Sequence, residues 1–247
     1  MLKIMSANIR FDNPNDEEHA WPNRKKLIAN TIKELSIDLF GTQEGREPQL
    51  RELEDLVNQN IVDEHREWID ERMYPSIFTH KFDIQNSGDI WLSETPDVLG
   101  SKSFDSMFPR LATWGKTNDF FLCNVHLDHD KEYTRIEQAK VLCNQIKRYN
   151  IDNAPIILMG DFNTDPQSDV HKLITDSLNL NDPWVSMGKA EETSFHFFKG
   201  EYPEGYRIDW ILLSNEFKVH SIELVKDHVD GIYLSDHFPV VCEIELI

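Results

Sequence analysis

The chain has 247 residues, 40% hydrophobic and 11% aromatic, which excludes a disordered chain and allows one domain over 1–247 with a sizeable core. Its 25 Lys and Arg against 44 Asp and Glu give a formal net charge of −19, which repels polyanions unless basic groups gather on one face. No apolar run is long enough for a membrane span, and MLKIMSANIRFD turns polar too soon for a secretory signal. Cys123, Cys143 and Cys242 share no close spacing and read as reduced core residues, so the expectation is a cytoplasmic protein.

In chain order, Leu2 to Asn8 reads as a strand ending on a polar residue, and Asn13 to Pro22 as a loop rich in Asn, Asp and Pro. Leu27, Ile28, Thr31, Ile32 and Leu35 recur at helical spacing and predict a helix over Asn23 to Leu35. A strand over Ile37 to Gly41 runs into Thr42, Gln43 and Glu44. A helix from Pro48 to Asn58 follows, with its stripe at Leu50, Leu53, Leu56 and Val57. Nine acids lie between Glu47 and Glu71 against Arg51 and Arg66, a solvated face by its pattern. Asn60 to Met73 shows no clear period.

Ser76 to Ile84 and Asp89 to Ser93 alternate like a hairpin around Gln85 to Gly88. Arg110 to Lys116 and Asp119 to Val125 predict a second hairpin that emerges at His126, Asp128 and His129. A helix over Tyr133 to Tyr149 follows. Pro155 to Met159 reads as a strand buried on both faces, stopping at Gly160 and projecting Asp161 and Asn163. Asp165 and Pro166 then look like the N-cap and first residue of a short helix near Ser168 to Thr175. Arg207 to Leu213, Phe217 to Leu224 and His237 to Leu246 are the last strands.

The functional signal lies in the polar residues at strand ends. Asn8, Glu44, His126 and Asp161 finish strands, whereas Asp209 and the pair Asp236 and His237 open them. In a mixed sheet, carboxyl ends of some strands adjoin amino ends of others, so these sets can share one rim. The cluster offers hard oxygen donors and no Cys, which suits Mg²⁺, with Mn²⁺ as substitute, better than zinc. A His held by a buried carboxylate beside such an ion suits hydrolysis of a phosphate ester, and Asp209 is placed to do this for His237.

The ordered set NIRFD, TQE, VHLDH, GDFN, RIDW and SDHFPV resembles the endonuclease/exonuclease/phosphatase superfamily, also called DNase I-like, from Leu2 to Leu246. The flanking text AWPNR, WLSETPD and PRLATW resembles a bacterial branch of it. The resemblance implies an α/β (α+β) fold, a four-layer α/β/β/α sandwich of two mixed sheets. It implies Glu44 as principal metal ligand, Asp236 as second and Asn8 close by. Asp161 and Asn163 would hold the attacking water or the phosphate, and His126 would act from the other side. His237, oriented by Asp209, would be base or phosphate contact, the choice of base between it and Asp161 staying open. Arg46 and Arg110 match places of basic substrate contacts, with surface salt bridges an even alternative.

Two departures matter: Met73, with Glu71 the nearest acid, stands where a Glu is usual and leaves the partner of His126 undefined. Arg10 stands where DNA-repair members carry Asp. His80, His171, His196 and His220 read as surface or packing residues, Trp21, Trp91, Trp114 and Trp210 as core, and Asp128 with His129 as a turn cap. The expected activity is a metal-dependent phosphoesterase acting on a small phosphate mono- or diester. A nuclease, which needs a basic track, is the alternative, and an inactive binding module is the third reading.

Overall fold

PIILM folds as expected. In the computed structural model, which describes residues 1–64 and 66–247, Ile156–Asp161 is buried along its whole length. In chain order the strands are β1 (Leu2–Asn8), β2 (Leu39–Gln43), β3 (Asn60–Ile61), β4 (Ser76–Thr79), β5 (Asn86–Trp91), β6 (Leu111–Lys116) and β7 (Phe121–His126). They continue as β8 (Ile156–Asp161), β9 (Leu180–Asn181), β10 (Asp209–Ser214), β11 (Phe217–Leu224), β12 (His228–Val229), β13 (Ile232–Tyr233) and β14 (Val240–Leu246). The helices are α1 (Trp21–Glu34), α2 (Glu47–Val57), α3 (Glu132–Tyr149), α4 (Asp169–Leu178) and α5 (Pro183–Ser186), with a 3-10 turn at Pro14–His19.

Two six-stranded mixed sheets result, ordered β11-β14-β1-β2-β4-β3 and β5-β6-β7-β8-β10-β9. Alternation along the strands makes the layers. Met5 and Phe40 face α1 and α2, where they meet Ile28, Ile32, Leu50 and Leu53. Their neighbours Ile4 and Leu39 face inward against Leu122, Ile157 and Ile211 of the second sheet. Leu158 and Leu212 point out again, under Leu142, Ile146, Val170 and Ile174 of α3 and α4. This is the four-layer α/β/β/α sandwich of the DNase I-like class.

Several local expectations are corrected. Ser76 to Ile84 and Asp89 to Ser93 form no hairpin: β4 pairs with β2 and β3 in the first sheet, and β5 pairs with β6 in the second. All four residues of β4 are buried because helices cover one face of the first sheet, over Phe78, and the second sheet covers the other, over Ile77, a cover that a separate two-strand ribbon would lack. Ser168, not Asp165, caps α4, accepting from the His171 amide, while Asp165 closes a turn onto the Gln167 amide. α1 begins at Trp21, with Pro22 in its first turn, so only part of Asn13 to Pro22 is loop. β3, β9, α5 and the β12–β13 ribbon are too short to leave a period in the sequence. Within Asn60 to Met73, His65 lies outside the described residues.

The pairing registers set the rim. β1 and β2 run parallel with Asn8 opposite Gln43, and β7 and β8 run parallel with His126 opposite Asp161. β10 runs antiparallel to β8 with Asp209 opposite Asp161, so His126, Asp161 and Asp209 occupy one row across three strands. Gly160 allows the close approach just below that row, because a Cβ there would sit 2.1 Å from the Val125 carbonyl oxygen. Between the sheets, Asn124 Nδ2 donates to the carbonyls of Thr42 (2.8 Å) and Ser76 (2.9 Å), and its Oδ1 accepts from Gln43 Nε2 (2.7 Å). This buried amide ladder ties the two halves together beneath the rim.

Candidate active site

Each strand-end residue is aimed by its own local geometry. Glu44 leaves β2 with φ at 67°, a left-handed conformation uncommon outside glycine and asparagine, which turns its carboxylate over the rim. Asn8 Nδ2 donates to Glu44 Oε1 (3.1 Å) and to Asp161 Oδ2 (2.9 Å), linking an acid of each sheet. Its Oδ1 is used as well, accepting from the Arg10 amide at 2.9 Å. Glu44 Oε2 accepts from the Phe11 amide at 3.2 Å. Asn163, also left-handed with φ at 53°, donates Nδ2 to the Leu127 carbonyl, and its amide donates to Asp161 Oδ1.

On one flank His237 Nδ1 lies 2.8 Å from Asp209 Oδ2, which also accepts from Ser194 Oγ at 2.7 Å. The Ser194 loop is stitched to the His237 segment, with Phe238 N donating to Ser194 O and His196 N to Asp236 O. Burial would strip the His237 charge, but Asp209, then Asp236 and Asp161, outweigh it and push the imidazolium pKa up to about 10. Asp161 is driven well above the usual carboxylate range, first by burial and then by Asp209.

On the other flank Arg110 is buried and has no carboxylate partner among its hydrogen bonds. Its Nη1 lies 3.1 and 3.0 Å from His126 Nδ1 and Nε2, and its Nη2 is 2.9 Å from His129 Nδ1. Burial, then Arg110, holds the His126 pKa well below that of a free imidazole, so it is neutral. Its nearest acid is Asp161, at 3.4 Å, which supplies the partner that the sequence left undefined. Arg46 instead pairs with Glu71 at 2.7 Å and lies over the Phe11 ring, so of its two readings the salt bridge is the one seen. Asp128 caps its turn through the amides of Asp130 and Lys131, as expected.

Asp161, Asp209 and His237 present ligand-type atoms within 4.8 Å of one another. Asp209 Oδ2 and His237 Nδ1 already share a hydrogen bond, however, so these two act on each other first. The hard-donor alternative fits a divalent cation better. Glu44 and Asp236 are close enough that Glu44 raises the Asp236 pKa, after burial itself, and each has an oxygen 3.9 Å from the Arg10 guanidinium without a hydrogen bond to it.

Sequence reasoning gave no role to Arg10, Arg24 or Ser194. Arg24 of the AWPNR stretch is fully buried and donates from Nη1 to the carbonyls of Ile9 (3.0 Å) and Leu234 (2.7 Å) and from Nε to that of His19. It thereby fastens the segment bearing Arg10 to the segment bearing Asp236. An Arg placed where a helix stripe turns inward is the available signal, though an isolated one. His196 packs at ring-stacking distance on Phe238, and Trp21, Trp91, Trp114 and Trp210 are buried as expected, with Trp184 buried in the core as well.

A family profile for the Endonuclease/Exonuclease/phosphatase family matches residues 5–237, and the chain belongs to that family, whose members are hydrolases acting on phosphate esters. Among solved structures, it is 30% identical to the Bacteroides thetaiotaomicron VPI-5482 mannosyl-6-phosphatase Bt3783, with a TM-score of 0.88 and 100% of each chain covered. A functionally unknown conserved protein from Enterococcus faecalis V583 is 28% identical, also with TM-score 0.88 and full coverage of both chains. The human Nocturnin catalytic domain with bound sulfate, 21% identical with TM-score 0.75 over 100% of this chain and 93% of that one, shares the fold. No curated protein matches. No helix among the described residues is long and apolar enough to cross a membrane.

Proposed function

We propose that this chain is a divalent-metal-dependent hydrolase of a small phosphate ester, preferring a terminal phosphomonoester. The observation that carries the reading is the row of His126, Asp161 and Asp209 facing Glu44 and Asp236 across the rim, with His237 bonded to Asp209. Glu44 and Asp236 would hold the metal ion, with Asn8 orienting Glu44. When bound, a divalent ion supplies charge neutralisation at the phosphate and leaving oxygens.

The chain's own groups do the rest. His237, held as an imidazolium by Asp209, donates from Nε2 to a nonbridging oxygen. Asp161, whose raised pKa suits a base near neutral pH, takes the proton of the attacking water, which Asn163 helps to place. The water oxygen bonds to phosphorus, the ester P–O bond breaks, the leaving oxygen takes a proton from solvent water, and Asp161 returns its own proton to solvent. Arg110 and neutral His126 receive the phosphate on the far side. Because Arg110 is hydrogen-bonded to histidines and to no carboxylate among the described residues, that flank suits the extra charge of a monoester.

Two observations favour a small substrate over nucleic acid. Arg46, one of the two arginines expected to contact substrate, is engaged by Glu71 and so is not held out toward a polyanion. Phe238, next in sequence to His237, lines a neighbouring cavity of about 540 Å³ with Tyr202, Tyr206, Glu191 and Glu192, where Arg207 and Lys226 are paired to those two acids, a surface suited to hydroxyl groups. The likeness to a mannosyl-6-phosphatase supports the same preference.

The test is hydrolysis of p-nitrophenyl phosphate, bis(p-nitrophenyl) phosphate, hexose 6-phosphates and a single-stranded oligonucleotide with Mg²⁺ or Mn²⁺. The expected result is turnover of the monoesters, lost in Glu44→Ala and His237→Ala. Preference for the oligonucleotide would make the chain a nuclease. No turnover, or turnover unchanged in both variants, would make it a binding module.

A further inference from the structure

Arg10 lies where a cation belongs. Its amide closes a turn onto Asn8 Oδ1, φ is 53°, and its carbonyl accepts from Gln49 Nε2 at 2.8 Å, so its backbone is pinned on both sides. The guanidinium is gripped by Asp16, with Nε 3.0 Å from Oδ2 and Nη2 3.1 Å from Oδ1, and Asn13 Nδ2 in turn donates to Asp16. Phe11 lies against it, 4.5 Å from ring centroid to guanidinium carbon. Held this way, Nη1 sits 3.9 Å from Glu44 Oε2 and Nε sits 3.9 Å from Asp236 Oδ2. The side chain is thus between the two carboxylates without hydrogen-bonding to either.

We propose that Arg10 is a built-in positive charge standing in for a second metal ion, so that the site takes one divalent cation. This rests on the reading of Glu44 and Asp236 as the metal-holding pair. A fixed guanidinium about 4 Å from both acids repels any ion they bind and occupies the side of the pair where a second ion would sit, Asp16 gripping its outer edge. Its planar donors offer a phosphoryl oxygen a positive contact at the edge of the pair. The NPNDEE stretch acquires a task as well: Asp16 holds the guanidinium at a distance that leaves both carboxylates free to take an ion.

The experiment is Mn²⁺ binding to the EDTA-stripped full-length protein, followed by calorimetry and by the free-ion electron paramagnetic resonance signal. Wild type is expected to bind one equivalent. Arg10→Ala should bind its first ion on the order of ten- to a hundredfold more tightly, Arg10→Asp should gain a second equivalent, and Arg10→Lys should match wild type. If Arg10→Ala does not fold by circular dichroism, Arg10→Gln is read in its place, with the same expectation. Two equivalents in wild type, or affinity unchanged or weakened in the neutral variant, would overturn the inference. Glu44→Gln separates the two claims: if it binds Mn²⁺ as wild type does, the assignment of the metal pair fails, whereas lost binding keeps that assignment and leaves Arg10 to be judged by its own variants.

Discussion

His126 and His237 stand at the same rim, each about 5% exposed, yet their protonation differs. Burial acts on both in the same direction, against the charged form. What separates them is the neighbour. His237 has the carboxylate of Asp209 at 2.8 Å and ends as an imidazolium, whereas His126 has the guanidinium of Arg110 at 3.0 Å and ends neutral. Asp161 lies in the row between His126 and Asp209, its pKa raised by burial and by Asp209. A fold that places one imidazole of each kind on either side of a carboxylate has separated charge donation from neutral contact, and under the proposed function both would bear on one phosphate.

The comparison breaks most completely if Asp209 is neutralised. Asp209→Asn keeps a side chain of the same size but removes the largest of the charges that oppose burial, so the His237 pKa should drop, with Asp236 and Asp161 still holding part of it up. Under the proposed mechanism kcat should fall on the order of 10² to 10⁴, as expected for a buried carboxylate that orients and charges a histidine. Steady-state kinetics with p-nitrophenyl phosphate, read beside the His237 titration by NMR, checks both halves. A variant that keeps the wild-type rate while losing the imidazolium would remove His237 from the chemistry.

The opposite flank sharpens the contrast with a smaller effect. Arg110→Met removes the guanidinium beside His126, so the His126 pKa should rise, stopping short of a free imidazole because burial persists. KM for a monoester should increase by about tenfold to a hundredfold, with a smaller rise for a diester, which carries less charge. Equal losses on both substrates would mean that Arg110 shapes the pocket without reading the charge of the phosphate.

Much of this contrast was legible in the sequence, because the rim is built from strand ends. The strand ending in His126, the GDFN turn and RIDW each announce a polar residue at the edge of an apolar run, and the parallel pairing of β7 with β8 and antiparallel pairing of β8 with β10 then align them. The Asp209–His237 bond was legible too, from a strand opening on Asp209 and one expected to open at His237, although β14 itself begins only at Val240 and His237 lies in the segment leading into it. The opposite protonation of the two histidines was not, because it depends on Arg110 Nη1, whose direction no periodicity encodes. Arg66 was hidden in the same way. It sits in the stretch with no readable period, yet its buried guanidinium joins the sheets through Asp89 (2.8 Å), Ser76 (2.9 Å) and Thr113 (2.6 Å). The misassigned hairpin has the same origin: alternation reports that β4 and β5 are strands, whereas their partners are fixed by long-range pairing.

The smallest expected effect concerns stability and tests the charge of His237 without any substrate. A histidine titrating near 6.5 in the unfolded chain and at about 10 in the fold is protonated in both states below pH 6.5, where its contribution to stability is complete. Between these values the folded protein holds the proton and the unfolded chain has lost it, so stability falls as pH rises toward 10. The raised pKa of Asp161 acts with the same sign from lower pH, because the fold again retains a proton that the unfolded chain releases. Asp128 and Asp182, whose carboxyls the fold holds below their usual range, act oppositely and lose their contribution only as the medium turns acid. The Tm of EDTA-treated protein should therefore drop on the order of 5 °C between pH 6.5 and 10. The drop should shrink in Asp209→Asn, where His237 has lost the largest of the charges that retain its proton, and should stay in Arg110→Met, where His237 keeps its acids. A wild-type profile flat across that interval would mean that His237 is neutral in the fold, and the difference between the two histidines would then come down to position alone.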